Sequence, residues 1–233
     1  DGVGRFAIDV SAAHGAPMDD SPTVSYQGLR TVSPWLSVTE AAIAALGRSL
    51  LAWHDAHRFC ARCGSAALPE HGGHQRRCTS PECDSVQFPR TDPVVIMLIH
   101  RDERCLVGRA VRSRRYPRGL YSCLAGYVEP GESIEEAVRR EVLEEAGIRI
   151  GRVWYHSSQP WPFPSQLMIG CFAEALSEEL HIDPAEWEEA RWMSRAELQA
   201  AVDAWMDPAA VRLPAPLTIA HQLARAWLES RKP

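Results

Sequence analysis

The sequence predicts an α/β protein with a small four-cysteine unit ahead of its sheet, on three observations. Apolar segments that read as strands surround helices with capping signals. Four cysteines fall between residues 60 and 83. A β-branched run, PVVIMLI, opens the larger half of the chain. Of 233 residues, 45% are hydrophobic, enough for a packed core in one or two domains. In chain order, RFAIDV (5–10) reads as an edge strand. Ser37 and Glu40 form a Ser-x-x-Glu capping box, and AAIAALGRSLLAWHDAH spaces its apolar residues as an amphipathic helix does. The two prolines of FPRTDP mark a lead-in turn, and PVVIMLI then reads as a buried strand. RCLVGRA and LYSCLAG are further strands. Ser133 and Glu136 cap a second helix, which Gly147 closes in a left-handed turn. RVWYHSS and QLMIGCFAEA follow as strands. ARWM leads into a helix capped by Ser194 and Glu197, and a last helix covers 217–229 behind Pro214 and Pro216. No internal repeat is seen. The expected organisation is a partial N-terminal α+β domain at 1–57 that ends in a helix, a cysteine ribbon at 58–90 and an α/β domain at 91–233. The chain begins at Asp1 rather than at Met, so an N-terminal portion is expected to be missing.

A net charge of -5 argues against nonspecific nucleic-acid binding, which needs a basic face. Arg112, Arg114, Arg115 and Arg118 nevertheless gather in one loop and form either a local basic patch or a solvated turn. No apolar run reaches the roughly 18 residues of a membrane span and no secretory pattern opens the chain, so an intracellular, cytoplasmic protein is expected.

Cys60, Cys63, Cys78 and Cys83 are spaced C-x2-C-x14-C-x4-C. Two knuckles with Gly64 after the first and Gly72-Gly73 between them supply four thiolates for a tetrahedral, structural Zn²⁺. Two disulfides are the competing reading, disfavoured inside a cell. The second knuckle is longer than usual, which leaves His71 and His74 as alternative ligands. Cys105, Cys123 and Cys171 stand singly in apolar segments and read as small core residues.

Residues 126–148 follow the spacing G-x5-E-x7-R-E-V-x-E-E-x-G-I. Glu141, Glu144 and Glu145 lie one turn apart on the predicted helix, so their carboxylates repel unless cations sit between them. Mg²⁺ or Mn²⁺ resolves this, because both prefer oxygen ligands and bridge carboxylates to phosphates. Gly126 and Gly131 would let backbone approach those phosphates. A glutamate-rich helix by itself is more often a solvated face.

The complete spacing resembles the signature of the Nudix hydrolases at every fixed position. The resemblance implies an α/β/α sandwich with a mixed sheet and hydrolysis of a nucleoside diphosphate linked to another moiety. A second stretch, Ser158-Gln159-Pro160-Trp161-Pro162-Phe163-Pro164, packs three prolines and two aromatics into seven residues. Physically it is either a stiff aromatic wall for a nucleobase or a hydrophobic corner. Placed after the first motif and downstream of a cysteine ribbon, it is similar to the NADH pyrophosphatase subfamily, whose members also remove NAD caps from RNA.

That resemblance, which runs from about Leu29 to the C-terminus, implies metal ligands at Glu141, Glu145, Glu186 and the carbonyl of Ala125. Glu144 or Glu145 would position or deprotonate the attacking water. It implies substrate contacts at Gln159, Pro160, Trp161, Pro162, Phe163, Pro164, Ser165 and Gln166, with more from Phe88, Arg30 and Ala220. Phe88 replaces a frequent tyrosine, and Ser165-Gln166 departs from a pattern that asks for serine at 166. The implied reaction is water attack on NAD(H), with Mg²⁺ or Mn²⁺ bound, to give nicotinamide mononucleotide and AMP; the implied assembly is a homodimer. A hydrolase of ADP-ribose or dinucleoside polyphosphates is the nearest alternative, and a catalytically dead RNA-binding module a more distant one.

Overall fold

A computed structural model describes residues 4–8, 27–111 and 118–230. Arg112, Arg114 and Arg115 of the arginine-rich loop lie outside them, so the basic patch is not addressed. The chain divides into two compact units: Asp1–Asp92 with Pro160–Gln166, and Pro93–Gln159 with Leu167–Pro233.

In the first unit, α1 (Leu29–Val32) and a 3-10 turn at Ser33–Trp35 lead to α2 (Val38–Ala56). The predicted box starts α2: the Glu40 N–H donates to Ser37 Oγ at 3.2 Å and the Ser37 N–H to the Glu40 carboxylate at 2.9 Å. The ribbon is an antiparallel sheet of β1 (Ala67–Glu70), β2 (Gln75–Cys78) and β3 (Val86–Gln87), in that order. The strand expected at RFAIDV is not formed by residues 5–8, and Asp9 and Val10 lie outside the described residues. Phe6 and Ile8 are 92% and 77% exposed, so nothing buries the alternating face that makes such a segment a strand.

The second unit is built on β4 (Asp92–Arg101), β5 (Arg104–Ala110), β6 (Leu124–Tyr127), β7 (Ile150–Trp161), β8 (Gln166–Ala175) and β9 (Trp187–Ser194). The sheet order is β7-β8-β4-β5-β9, with β6 also paired to β4. Because side chains alternate along a strand, β4 feeds two cores. Val95, Met97 and Ile99 pack with Ala137, Val138, Val142 and Ala146 of α3 (Ile134–Ala146). Ile96 and Leu98 pack on the other face with Leu198 and Val202 of α4 (Arg195–Asp203) and with Leu223 and Trp227 of α5 (Ile219–Glu229). That is the expected α/β/α sandwich, and the buried run of β4 is its midline. Each fully buried aliphatic here contributes about 1.5–3 kcal/mol of transfer free energy.

Two elements differ from the reading of the sequence. LYSCLAG forms regular strand only from Leu124, its earlier residues making isolated bridges at Leu120 and Ser122. β7 runs on through Pro160 and Trp161, so the proline-rich loop is shorter than its composition suggests. Proline at 160 costs a strand only one N–H, which an unpaired edge position tolerates.

Candidate active site

Helix α3 starts at the predicted cap: the Glu136 N–H donates to Ser133 Oγ at 3.3 Å and the Glu136 carboxylate accepts the Ser133 N–H at 2.8 Å. It ends at Gly147, whose φ of 70° is a left-handed closure. Its apolar residues face the sheet, and the glutamates do not share one environment. Glu145 is buried and the Glu141 side chain is only 12% exposed, whereas Glu144 is 60% exposed.

Arg140 organises the acidic groups, a role that the sequence reading did not assign. Its Nε and Nη2 grip the Glu132 carboxylate at 2.6 and 2.8 Å. Its Nη1 reaches Glu141 at 2.9 Å and Glu144 at 3.2 Å, and Nη2 also donates to the Tyr127 carbonyl at 2.9 Å. The spacing E-x7-R is the signal that was available: it brings a loop carboxylate back onto the helix. Arg140, aided by the Glu129 N–H, holds the Glu132 carboxyl down to about 2. Burial pushes the Glu141 carboxyl up, and Arg140 only partly offsets this.

Gly126 has a reason that the sequence did not show. It lies in β6 opposite Val95, and a Cβ there would overlap the Glu141 carboxyl. The glycine is the cradle of that carboxylate. Ala125, its neighbour, pairs with Ile96 on β4. Glu186 stands on a turn bound to the end of α3, where the His181 N–H donates to the Ala146 carbonyl at 2.9 Å and the Asp183 N–H to the Glu145 carbonyl at 3.0 Å. The Glu186 side chain is exposed. The Glu141 carboxylate, seated on glycine, is an oxygen donor of the type that hard divalent cations take. Glu141 and Glu144 are turned to Arg140, and among the described residues only the cysteine quartet forms a ready group of three or more ligands. A cation here competes with a guanidinium.

That quartet is complete. The ligand atoms of Cys60, Cys63, Cys78 and Cys83 lie within 4.8 Å of one another, with Sγ pairs at 3.9 Å (Cys60 and Cys83) and 3.4 Å (Cys63 and Cys78). Four sulfurs around zinc at about 2.3 Å stand about 3.8 Å apart, whereas a disulfide needs about 2.05 Å. All four thiols are free, so the disulfide alternative falls and the quartet fits Zn²⁺. His71 and His74 stay outside it. The Cys60 N–H donates to the Ser65 carbonyl and the Cys78 N–H to the Ser85 carbonyl; the longer second knuckle is absorbed by a turn on which Cys83 and Asp84 donate to the Ser80 carbonyl. The Ser65 hydroxyl and N–H draw the Cys63 thiol down to about 6, toward the thiolate that metal needs. Cys105, Cys123 and Cys171 are buried core residues, as expected.

The aromatic stretch divides between the units. In the second, Gln159 spends its amide internally: Nε2 donates to the Leu217 carbonyl at 2.7 Å and Oε1 accepts the Ile219 N–H at 2.9 Å, which fixes the start of α5. Ala220, on that first turn, is buried in the core and its carbonyl accepts the Cys123 thiol. In the first unit the Trp161 and Phe163 rings meet edge to face at 5.2 Å. The Arg30 guanidinium stands 4.3 Å from the centroid of Phe163 and 5.7 Å from that of Trp161, so Arg30 does join this loop. Phe88 is exposed.

Comparison with known proteins agrees with this geometry. The family model of the NUDIX domain matches residues 89–215, and the chain belongs to the Nudix family. A second model, the NADH pyrophosphatase zinc ribbon domain, matches residues 55–88, so within the family this chain is of the kind that carries that ribbon. The NAD-capped RNA hydrolase NUDT12 of Homo sapiens is 46% identical over 201 residues, 83% of this chain and 43% of that protein. The mitochondrial NAD(P)H pyrophosphatase NUDT13 of Homo sapiens is 35% identical over 237 residues, 97% of this chain and 65% of that protein. The chain thus spans less than half of the first relative and just under two thirds of the second. A NUDIX hydrolase structure from Nitrosomonas europaea superimposes with a TM-score of 0.58 at 21% identity, over 75% of this chain and 92% of its own, and shows the fold. No helix of the described residues is long and apolar enough to cross a membrane.

Gly126→Ala is expected to push the Glu141 carboxyl out of its seat, with an overpacking cost of about 1–3 kcal/mol and weaker Mn²⁺ binding in calorimetric titration. Unchanged Mn²⁺ affinity would remove Glu141 from the ligand set. Chelation of zinc is expected to lower the melting transition, because the free energy of metal binding is here free energy of folding. A melting curve indifferent to chelator would show that the quartet holds no structural metal.

Proposed function

We propose that the chain hydrolyses the pyrophosphate of NAD(H) to nicotinamide mononucleotide and AMP, and that it removes NAD caps from RNA 5′ ends to leave monophosphate RNA. The observation that carries this reading is the Arg140-held carboxylate set on α3 in a chain that also has the NADH pyrophosphatase ribbon. The names of the two relatives, an NAD-capped RNA hydrolase and an NAD(P)H pyrophosphatase, support it.

Glu141, Glu145, Glu186 and the Ala125 carbonyl would hold Mg²⁺ or Mn²⁺, which when bound neutralises diphosphate oxygens and makes bound water more acidic. Glu144 or Glu145 orients the attacking water and takes its proton as the new P–O bond forms and the bridging P–O bond breaks. Glu144 is the more exposed of the two and Glu145 the more fixed. Arg140 offsets part of the cost of burying Glu141, through a charge-assisted hydrogen bond. Trp161, Phe163 and Arg30 meet the substrate with their side chains, as do Ser165, Gln166 and Phe88, while Pro160, Pro162 and Pro164 stiffen the loop. Gln159 and Ala220 act by placing the first turn of α5.

The test compares AMP release from NADH, NAD and ADP-ribose with magnesium and with manganese, and 5′-end analysis of NAD-capped RNA. The dinucleotides and the cap are expected to be cleaved in preference to ADP-ribose, and Glu145→Gln to cost roughly a hundredfold or more with melting unchanged. Near-normal turnover by that variant, or a preference for ADP-ribose, would overturn the assignment. We also propose a homodimer, supported by the exposed apolar side chains of Trp35 and Val38 at the start of α2 and of Leu46 within it. Sedimentation at micromolar concentration is expected to give twice the chain mass, and a monomer there excludes it.

A further inference from the structure

The turn 162–165 that joins β7 to β8 carries prolines at 162 and 164, neither with an N–H to give, so its own backbone has few donors with which to hold itself in place. One short bond, from the Phe163 N–H to the Trp161 carbonyl at 2.8 Å, closes its turn. The carbonyls of Pro162 and Pro164 still need donors, and both find them on α2, more than a hundred residues earlier in the chain. Arg48 Nε donates to the Pro162 carbonyl at 2.8 Å, and Ser49 Oγ donates to the Pro164 carbonyl at 3.2 Å. The Arg48 guanidinium also stands 5.2 Å from the centroid of the Phe163 ring. One side chain thus holds the loop by its backbone and by its central aromatic ring. Only a planar guanidinium can donate along its edge while its face lies over a ring; an ammonium has no such fork.

We propose that Arg48 is a positioning residue for substrate binding: it fixes the turn that presents Trp161 and Phe163, without itself touching the reacting atoms. The inference rests on the reading that this loop contacts the dinucleotide. Arg48 belongs to no motif in the chain, and only the fold brings it to the loop. A part-buried hydrogen bond from a charged donor is strong enough for its loss to weaken substrate binding about tenfold.

Arg48→Ala and Arg48→Lys are compared with the unaltered chain by two measurements. Amide exchange at Trp161, Phe163, Ser165 and Gln166 reports on the loop whether or not the protein is active, and steady-state kinetics on NADH separates KM from kcat. Faster exchange confined to the loop, with KM raised about tenfold and kcat within twofold, is the expected result for Ala, and Lys should restore little of either. Unchanged exchange in Arg48→Ala overturns the clamp. Faster exchange with unchanged KM overturns its role in binding. An unaltered chain that fails to cleave NADH, yet whose loop loosens in Arg48→Ala, points instead to failure of the proposed substrate, and affinity for the dinucleotide measured by calorimetry then decides whether Arg48 positions a binding loop.

Discussion

The negative charge of helix α3 has to be compensated. Glu132, Glu141 and Glu144 converge on one guanidinium, and two like charges 4 Å apart cost about 4 kcal/mol at an effective dielectric of 20. Arg140 meets this cost within the chain, with direct bonds to Glu132, Glu141 and Glu144. Its grip on the Tyr127 carbonyl ties the same charge to β6. The helix is therefore anchored to the strand that supplies Ala125 and Gly126. The electrostatic solution and one of the geometric ties are thus the same side chain.

The cysteine quartet and the carboxylates of α3 are arranged in different ways. The cysteine quartet is assembled by the backbone: two knuckles return to the sheet at Ser65 and Ser85, which brings the four sulfurs within 4.8 Å of one another. The carboxylates of α3 are instead held by a cation of the chain itself, the Arg140 guanidinium. Carboxylates are hard oxygen donors, whereas the thiolates of the ribbon are soft ones.

Much of this was legible in the sequence, for identifiable reasons. The capping boxes at Ser37, Ser133 and Ser194 each formed, since a cap depends on only four neighbouring residues. The β-branched run gave β4, and the cysteine spacing gave the ribbon. What escaped was non-local. Arg140 reads as one more charge on a polar helix until Glu132 folds back upon it. Gly126 looks like a phosphate-loop glycine until the Glu141 carboxyl is found against it. Gln159 and Ala220, expected to face substrate, are engaged with the start of α5, and no pattern in 159–166 announces a partner sixty residues away. The edge strand at RFAIDV failed for the converse reason: its local pattern was right, but residues 5–8 found no neighbour to bury it.

The two departures from the family pattern differ in weight once the local structure is known. Phe88 is exposed, directly after the short β3, so the hydroxyl that a tyrosine would bring has no interior network to complete and its absence strains nothing. Gln166 opens β8, next to the residue whose carbonyl accepts the Asp92 N–H at 2.8 Å. That bond fixes the backbone where the turn becomes strand, at a residue whose own side chain is half-buried. The two departures thus differ in setting: one lies at an open surface, the other where the turn meets the sheet. The carboxylates that Arg140 holds lie outside both.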